Sequence, residues 1–309
     1  MLASKLLYYD GQNLRTIILQ GHLRGLAWDR QDRFPIVVGN GGRVLKVQED
    51  GPVPLDSGTR HNLRAVSVNP TDGRALIVGN AGTALLLEGE RFTKVPVPTF
   101  ENLRAVAWNH DGSIALLAGN NGTLLKFSQG DVVPVDAGRA NLRGISWRPK
   151  SEGALIASNC FAEEFIPSPN LFNYEAETNI AKPLNEGRAD IIGADWKWNG
   201  ESALVVGYDV VWHNGFIGTF NGTTLSPVPF ENKHIYPVAV AWKPSADLAA
   251  IVTATGQAGM AKGTVFLWNS KSLNPIFSDA EFFFSDVAWD WKGARLAALA
   301  STETRTFNA

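Results

Sequence analysis

Four arginines stand in nearly the same phrase: HLRGLAW at 22–28, NLRAVSV at 62–68, NLRAVAW at 102–108 and NLRGISW at 141–147. Arginine presents a planar fork of N–H donors that matches the oxygens of a carboxylate or a phosphate. If the four phrases meet in space, Arg24, Arg64, Arg104 and Arg143 could together hold a small anion or an acidic peptide. A second reading stands beside it. Each arginine could tie its own repeat to nearby loop carbonyls or acids and recur because the repeat was duplicated.

Two other stretches carry side chains suited to recognition. NCFAEEFIPSP (159–169) and YDVVWHNG (208–215) set large aromatics in polar surroundings. Phe161, Phe165 and Trp212 could anchor a protein partner, with Glu163, Glu164, Asp209 and His213 as a polar rim. The alternative is that the aromatics fold down over the core while the acids face water. The same acids and His213 lack the spacing of a metal site. The five histidines (22, 61, 110, 213 and 234) are scattered. No nucleophile motif, phosphate-cradling glycine loop or paired metal ligands accompany them. The expectation is a binding protein without a cofactor, and the question of enzymatic activity is left open.

The elements that would position these residues follow from the spacing of the phrase. Fainter copies end at Trp196 (IIGADW), Trp242 (VAVAW) and Trp289 (SDVAW). From Trp28 the marker recurs at Val68, Trp108, Trp147, Trp196, Trp242 and Trp289, in steps of 40, 40, 39, 49, 46 and 47 residues. Such spacing belongs to arrays of small antiparallel sheets, one per repeat. Within 102–136, LRAVAW reads as a buried strand, NHDGS as a tight turn and IALLAG as a strand covered on both faces. TLLKF and VVPVD complete a four-stranded unit. The second strand ends eleven residues after the marker in every copy, from Gly39 after Trp28 to Ala300 after Trp289. Seven units therefore form an all-β, seven-bladed β-propeller of four-stranded antiparallel blades. The blades start near residues 22, 62, 102, 141, 190, 235 and 284, and one domain spans 1–309.

The seventh unit stops after two strands, and the missing half lies at the other end of the chain. KLLYYDGQNLRTI (5–17) aligns with TLLKFSQGDVVPV (123–135). Residues 1–20 should complete blade 7 and close the ring, because an open ring would leave unpaired strand edges. Six of the seven marker positions hold Trp, and burying so large an aromatic removes roughly 150–250 Å² from water. These tryptophans are expected in the core.

Composition narrows the function. A formal charge of −2 gives no reason to expect nucleic-acid binding. No apolar run approaches the roughly 18 residues of a membrane span. MLASKLLYY lacks the pattern of a signal peptide and is needed as a strand. A single cysteine, Cys160, fits a reducing compartment, so the expectation is a cytoplasmic protein.

VAWNHDGSIALLAGNNGTLLKF (106–127) resembles a WD-repeat unit, with its small-plus-aromatic first strand, Asp-Gly turn and Asn-Gly-Thr opening of the third strand. Gly21-His22 and Trp268-Asn269 are similar to that family's Gly-His and Trp-Asp signatures, each appearing once. IVGNAGTALLLEG (77–89) and LLAGNNGTLLKF (116–127) also resemble the Asp-box and photosystem-assembly-factor propellers. The resemblance implies a propeller, and WD-like rings serve mostly as binding platforms.

Loop lengths give the functional expectation. Blades 1–3 keep the connection between second and third strands minimal, whereas blades 4, 5 and 6 carry 159–169, 208–215 and ATGQAGMAKG (254–263). The tail 301–309 falls at the same place in blade 7. The leading reading is a non-catalytic protein-interaction scaffold using the loop-rich face of blades 4–6. The alternative is a small-molecule or anion-binding propeller, possibly an enzyme, with the arginines at the channel mouth.

Overall fold

The computed structural model describes residues 2–159, 168–187, 189–209, 214–229, 234–255 and 262–302. Its strands assemble into seven four-stranded antiparallel sheets, each a blade of a ring. Blade 3 shows how the sequence builds one. Its first strand, Leu103–Trp108, alternates buried and half-buried positions beside the central channel. The second, Ala115–Gly119, is buried at every position because neighbouring blades cover both of its faces. Leu124–Ser128 follows, and Asp131–Val135 forms the largely exposed outer edge. The apolar run, the alternation and the polar edge in the sequence thus map onto distance from the channel.

Tight turns set the hairpins. At the connection between second and third strands, Asn121 and Gly122 both have positive φ, 52° and 71°, as the mirror-image turns that suit twisted hairpins require. Gly122 has a second reason. A Cβ there would lie 1.8 Å from the carbonyl oxygen of Gly138, so the loop entering the next blade packs directly on the turn.

The core lies between blades. One cluster joins Leu116, Ala118 and Leu124 of blade 3 to Trp147, Ile156 and Tyr174 of blade 4. The six marker tryptophans and Val68 are all buried, at 3–9 % exposure, as expected of core residues. A cation from the preceding blade covers several of them: Arg148 lies over Trp196, Lys197 over Trp242 and Lys243 over Trp289. Each such cation–π contact is worth about 0.5–2 kcal/mol.

The ring closes as the repeat count requires. Blade 7 is built from Phe283–Trp289, Leu296–Ser301, Ala3–Tyr9 and Leu14–Gln20, in that order from the channel outward. Ser4 pairs with Ser301 and Tyr9 with Leu296 in an antiparallel ladder. Blade 7 then packs on blade 1. The Trp28 indole donates to the Ala288 carbonyl at 3.2 Å, and Tyr8 meets the Trp28 ring at 5.9 Å. Asp32 accepts from the Trp291 backbone at 2.7 Å, and its carbonyl accepts from Arg295.

One detail departs from the even hairpins of the sequence. In blades 4–7 the second strand runs one or two residues past the expected end, to Asn159, Asp209, Thr255 and Ser301. In blade 5 the ladder continues through Tyr208↔Gly215 and Asp209↔Asn214. The first residues of that insertion therefore extend the hairpin ladder and do not begin a loop.

Candidate functional site

Every blade carries the same irregularity in its first strand. The pairing register shifts at one residue, a β-bulge, and that residue is Arg24, Arg64, Arg104, Arg143, Ile192, Val238 or Ser285. A bulge removes a residue from the ladder and re-aims its side chain. All seven bulge residues line the central channel, a space of about 520 Å³. The four arginines thus share one end of the channel, and the other half of that rim is Ile192, Val238 and Ser285.

Each guanidinium is oriented by an asparagine sixteen residues later in its own blade. The Nε–H groups of Arg24, Arg64, Arg104 and Arg143 donate to Oδ1 of Asn40, Asn80, Asn120 and Asn159 at 2.7, 2.8, 3.2 and 2.7 Å. These asparagines begin, or in blade 4 immediately precede, the turn between second and third strands, so the arginines sit on the face where those turns emerge. Blades 5–7 lose both partners together: Ile192 faces the position of Tyr208, Val238 that of Ala254 and Ser285 that of Ser301. This joint loss was readable in the sequence, as an Arg and an Asn that vanish in the same blades. Each Arg is thus hydrogen-bonded to an Asn of its own blade. The channel-facing placement is equally plain.

The rest of the phrase has a structural purpose. Asn62, Asn102 and Asn141 each accept the backbone N–H of the preceding blade's turn, from Gly41, Ala81 and Asn121, at 2.9–3.1 Å. The leucines Leu23, Leu63, Leu103 and Leu142 are fully buried. In the phrase NLR, Asn fastens neighbouring blades, Leu fills the core and Arg is directed to the channel rim.

Deeper in the channel the inner strands of blades 4, 5 and 6 are tied by a polar chain. The Trp196 N–H donates to Ser146 Oγ at 3.0 Å, Ser146 Oγ donates to Asp195 Oδ1 at 2.9 Å, and the Trp242 N–H donates to Asp195 Oδ2 at 2.7 Å. Burial pushes the Asp195 carboxyl up to about 6, against the lowering effect of the hydrogen bonds from Trp242, Ser146 and Trp196. A carboxyl whose folded pKa is raised stabilises the fold fully below its ordinary value near 4, and that contribution is lost as pH rises through about 6. Stability should therefore fall by up to about 3 kcal/mol between pH 4 and 7 through this group. Asp195→Asn should flatten that slope in chemical denaturation, and an unchanged slope would remove Asp195 as its source.

Of the residues expected at a partner site, Asp209 is half-buried at the end of the strand Ala203–Asp209. Phe161, Glu163, Glu164, Phe165, Trp212 and His213 lie outside the described residues. Their segments, 160–167 and 210–213, connect second to third strands, as do 256–261 in blade 6. On the same face, three further residues escaped the reading of the sequence. Arg60, Phe100 and Arg139 occupy one repeat position, two residues before the Asn of NLR, and all three are exposed. Phe100 is 93 % exposed. Aligning the loops between blades by that Asn would have found them. Among the described residues no three His, Cys, Asp or Glu side chains gather as a metal site.

No protein-family model and no curated protein sequence matches the chain. Solved structures do match in fold. The chain is similar to a Kuenenia stuttgartiensis hydrazine synthase structure, with a TM-score of 0.71 at 11 % identity, over 93 % of this chain and 97 % of that one. It is similar to the RRP9 WD40 repeats, with a TM-score of 0.71 at 10 % identity over 92 % and 96 % of the two chains. It is also similar to the Swd1 β-propeller domain of Myceliophteria thermophila, with a TM-score of 0.67 at 12 % identity over 93 % and 98 %. The fold is thus a seven-bladed β-propeller with WD40 propellers among its structural neighbours.

Proposed function

We propose that the protein is a non-catalytic interaction platform that docks a protein partner on the face bearing the connections between second and third strands. The observation that carries this reading is the unequal length of those connections. Blades 2 and 3 turn in the four residues after Gly79 and Gly119, whereas blade 4 spans from Asn159 to Ser168, blade 6 from Thr255 to Gly263, and blade 5 extends its hairpin. Binding residues gather on loops held by rigid scaffolds. The WD40 neighbours lend the same direction to the reading. Phe161, Phe165 and Trp212 would be the anchors, with Glu163, Glu164, Asp209 and His213 beside them.

Affinity capture from the source cells tests this. Residues 160–167 are replaced by the Asn-Asn-Gly of blade 3, which leaves Asn159 and the third strand of blade 4 in place. A control carries Trp198→Ser and Trp291→Ser, two half-exposed tryptophans in turns at the opposite end of the blades. The proposal expects a partner retained by the intact chain and the control and lost by the loop replacement. Equal capture by all three contradicts it.

A further inference from the structure

The outer rim of the ring is guarded against further strand pairing in six of its seven blades. Proline cannot donate to a ladder, and short or bulged edge strands are poor templates for another chain. The outermost strand of blade 1, Gly51–Asp56, carries Pro52 and Pro54, and that of blade 3, Asp131–Val135, carries Pro134. In blades 4 and 6 the outer strands Ile180–Gly187 and Leu273–Asp279 carry Pro183 and Pro275, each beside a register shift. Blades 2 and 5 end in the short strands Arg91–Lys94 and Leu225–Pro227. Pro96 follows the first of these, and Pro227 closes the second.

Blade 7 has no such device. Its outer strand, Leu14–Gln20, reads LRTIILQ, seven residues without proline, and its register with Ala3–Tyr9 is unbroken. Thr16, Ile17 and Ile18 give its centre a strong preference for strand. The direction of its amides follows from the two ends of the hairpin. Gly21 donates to the Leu2 carbonyl at 3.0 Å, and Asp10 donates to the Asn13 carbonyl at 3.3 Å. Antiparallel bonding alternates, so Arg15, Ile17 and Leu19 bond inward, while Leu14, Thr16, Ile18 and Gln20 point their N–H and C=O groups outward. Of these outward groups only the Gln20 carbonyl has a partner among the described residues, Arg43 Nη1 at 3.3 Å. On the same strand Ile18 is 61 % exposed and Leu14 44 %.

We propose that this edge pairs with the same edge of a second copy of the chain, antiparallel and two-fold about Ile17. Thr16 of each copy then opposes Ile18 of the other, and Leu14 opposes Gln20. Thr16 and Ile18 exchange four hydrogen bonds at the centre, and the two Ile18 side chains meet diagonally on the exposed face. Arg15 is the only charged residue of the strand, and it falls opposite Leu19. The two arginines are thus about 13 Å apart along the strands at 3.3 Å per residue, beyond the Debye length of physiological salt. The guarded edges fix the occupant. Each ring offers one open edge, so pairing between copies joins blade 7 to blade 7 and closes at two.

Sedimentation velocity over a range of concentrations tests this on the full chain, which should be a dimer that dissociates on dilution. Thr16→Pro transplants the device of blades 1 and 3, since Thr16 pairs with Leu7 as Pro54 pairs with Leu45 and Pro134 with Leu125. The N–H it removes points outward, so blade 7 keeps its own ladder. The dissociation constant should rise about tenfold or more, because the two-fold loses each contact twice. Ile18→Lys sets like charges diagonally across the pairing and should do the same without altering the backbone. Val133→Lys, at a 45 % exposed position on the guarded edge of blade 3, should leave the dimer unchanged. Ile17→Cys in a Cys160→Ser background should form a disulfide between copies under mild oxidation, because directly opposed residues of a non-bonded pair lie within disulfide reach. An intact chain that is monomeric at every concentration, assemblies larger than two, or a dimer that survives both Thr16→Pro and Ile18→Lys would each overturn the proposal. Replacement of 160–167 should leave the dimer intact, which keeps this test separate from that of the docking face.

Discussion

A chain lacking residues 1–20 will not form the ring: it is expected to aggregate or to melt far below the full-length protein. Those residues supply two of the four strands of blade 7. With them go Leu6, Leu7 and Leu19, which are at most 1 % exposed, and the buried Ser4, which links the Gly21 carbonyl to the Leu23 N–H. Truncating one buried leucine to alanine typically costs about 2–5 kcal/mol. Loss of three such side chains rivals the whole net stability of an ordinary domain, about 5–15 kcal/mol. The deletion also strips Leu296–Ser301 of its outer neighbour and leaves an apolar, unpaired edge, a template for pairing with another chain. A truncated protein that melts with the full-length protein would show that the ring does not depend on this closure.

The second large effect is expected at Trp147. Its ring is 4 % exposed, stands edge-on to Tyr174 at 5.8 Å and donates from Nε1 to the Ala107 carbonyl of blade 3 at 3.0 Å. Trp147→Ala should lower stability by about 3–5 kcal/mol, the cost of emptying an aromatic site in a core. Phenylalanine separates shape from hydrogen bonding. Trp147→Phe leaves the Ala107 carbonyl without its donor, a loss of about 1–3 kcal/mol. Trp242→Phe removes a buried Nε1 that has no acceptor among the described residues, so it should be the milder change. Urea denaturation of the two phenylalanine variants decides this. Equal losses, or a greater loss at Trp242, would mean that packing alone sets the contribution of these rings.

Much of this fold was legible because propeller geometry is written as a period. Trp28, Trp108 and Trp147 mark the same buried place in blades 1, 3 and 4, and the alignment of 5–17 with 123–135 located the missing half of blade 7. Side-chain direction at the arginines was not legible. It depends on a bulge, and a bulge is a count of residues against a partner strand, with no residue type of its own at Arg24 or Ile192. The Arg–Asn pairs could have been found by comparing blades, since Tyr208 stands where Asn159 would. Tyr208 instead meets Tyr236 edge-on at 5.7 Å, a ring contact across blades 5 and 6 in the place of the polar clasp of blades 1–4. Blade 5 was also misleading in its insertion: Tyr208 and Asp209 continue the ladder, whereas their polar and turn-forming neighbours suggested a loop from that point. The residues of 160–167 offered no periodicity at all, so the sequence pattern carried no expectation of an element there.

The account stands or falls on which face meets the partner. Hydrogen–deuterium exchange on the purified complex, compared with the protein alone, reads this directly. The account predicts slowed exchange in 160–167, 210–213 and 256–261 and in the loops around Arg60, Phe100 and Arg139, with the turns at Trp198 and Trp291 unchanged. Protection confined to those two turns, with the loop-bearing face exchanging as before, would contradict it.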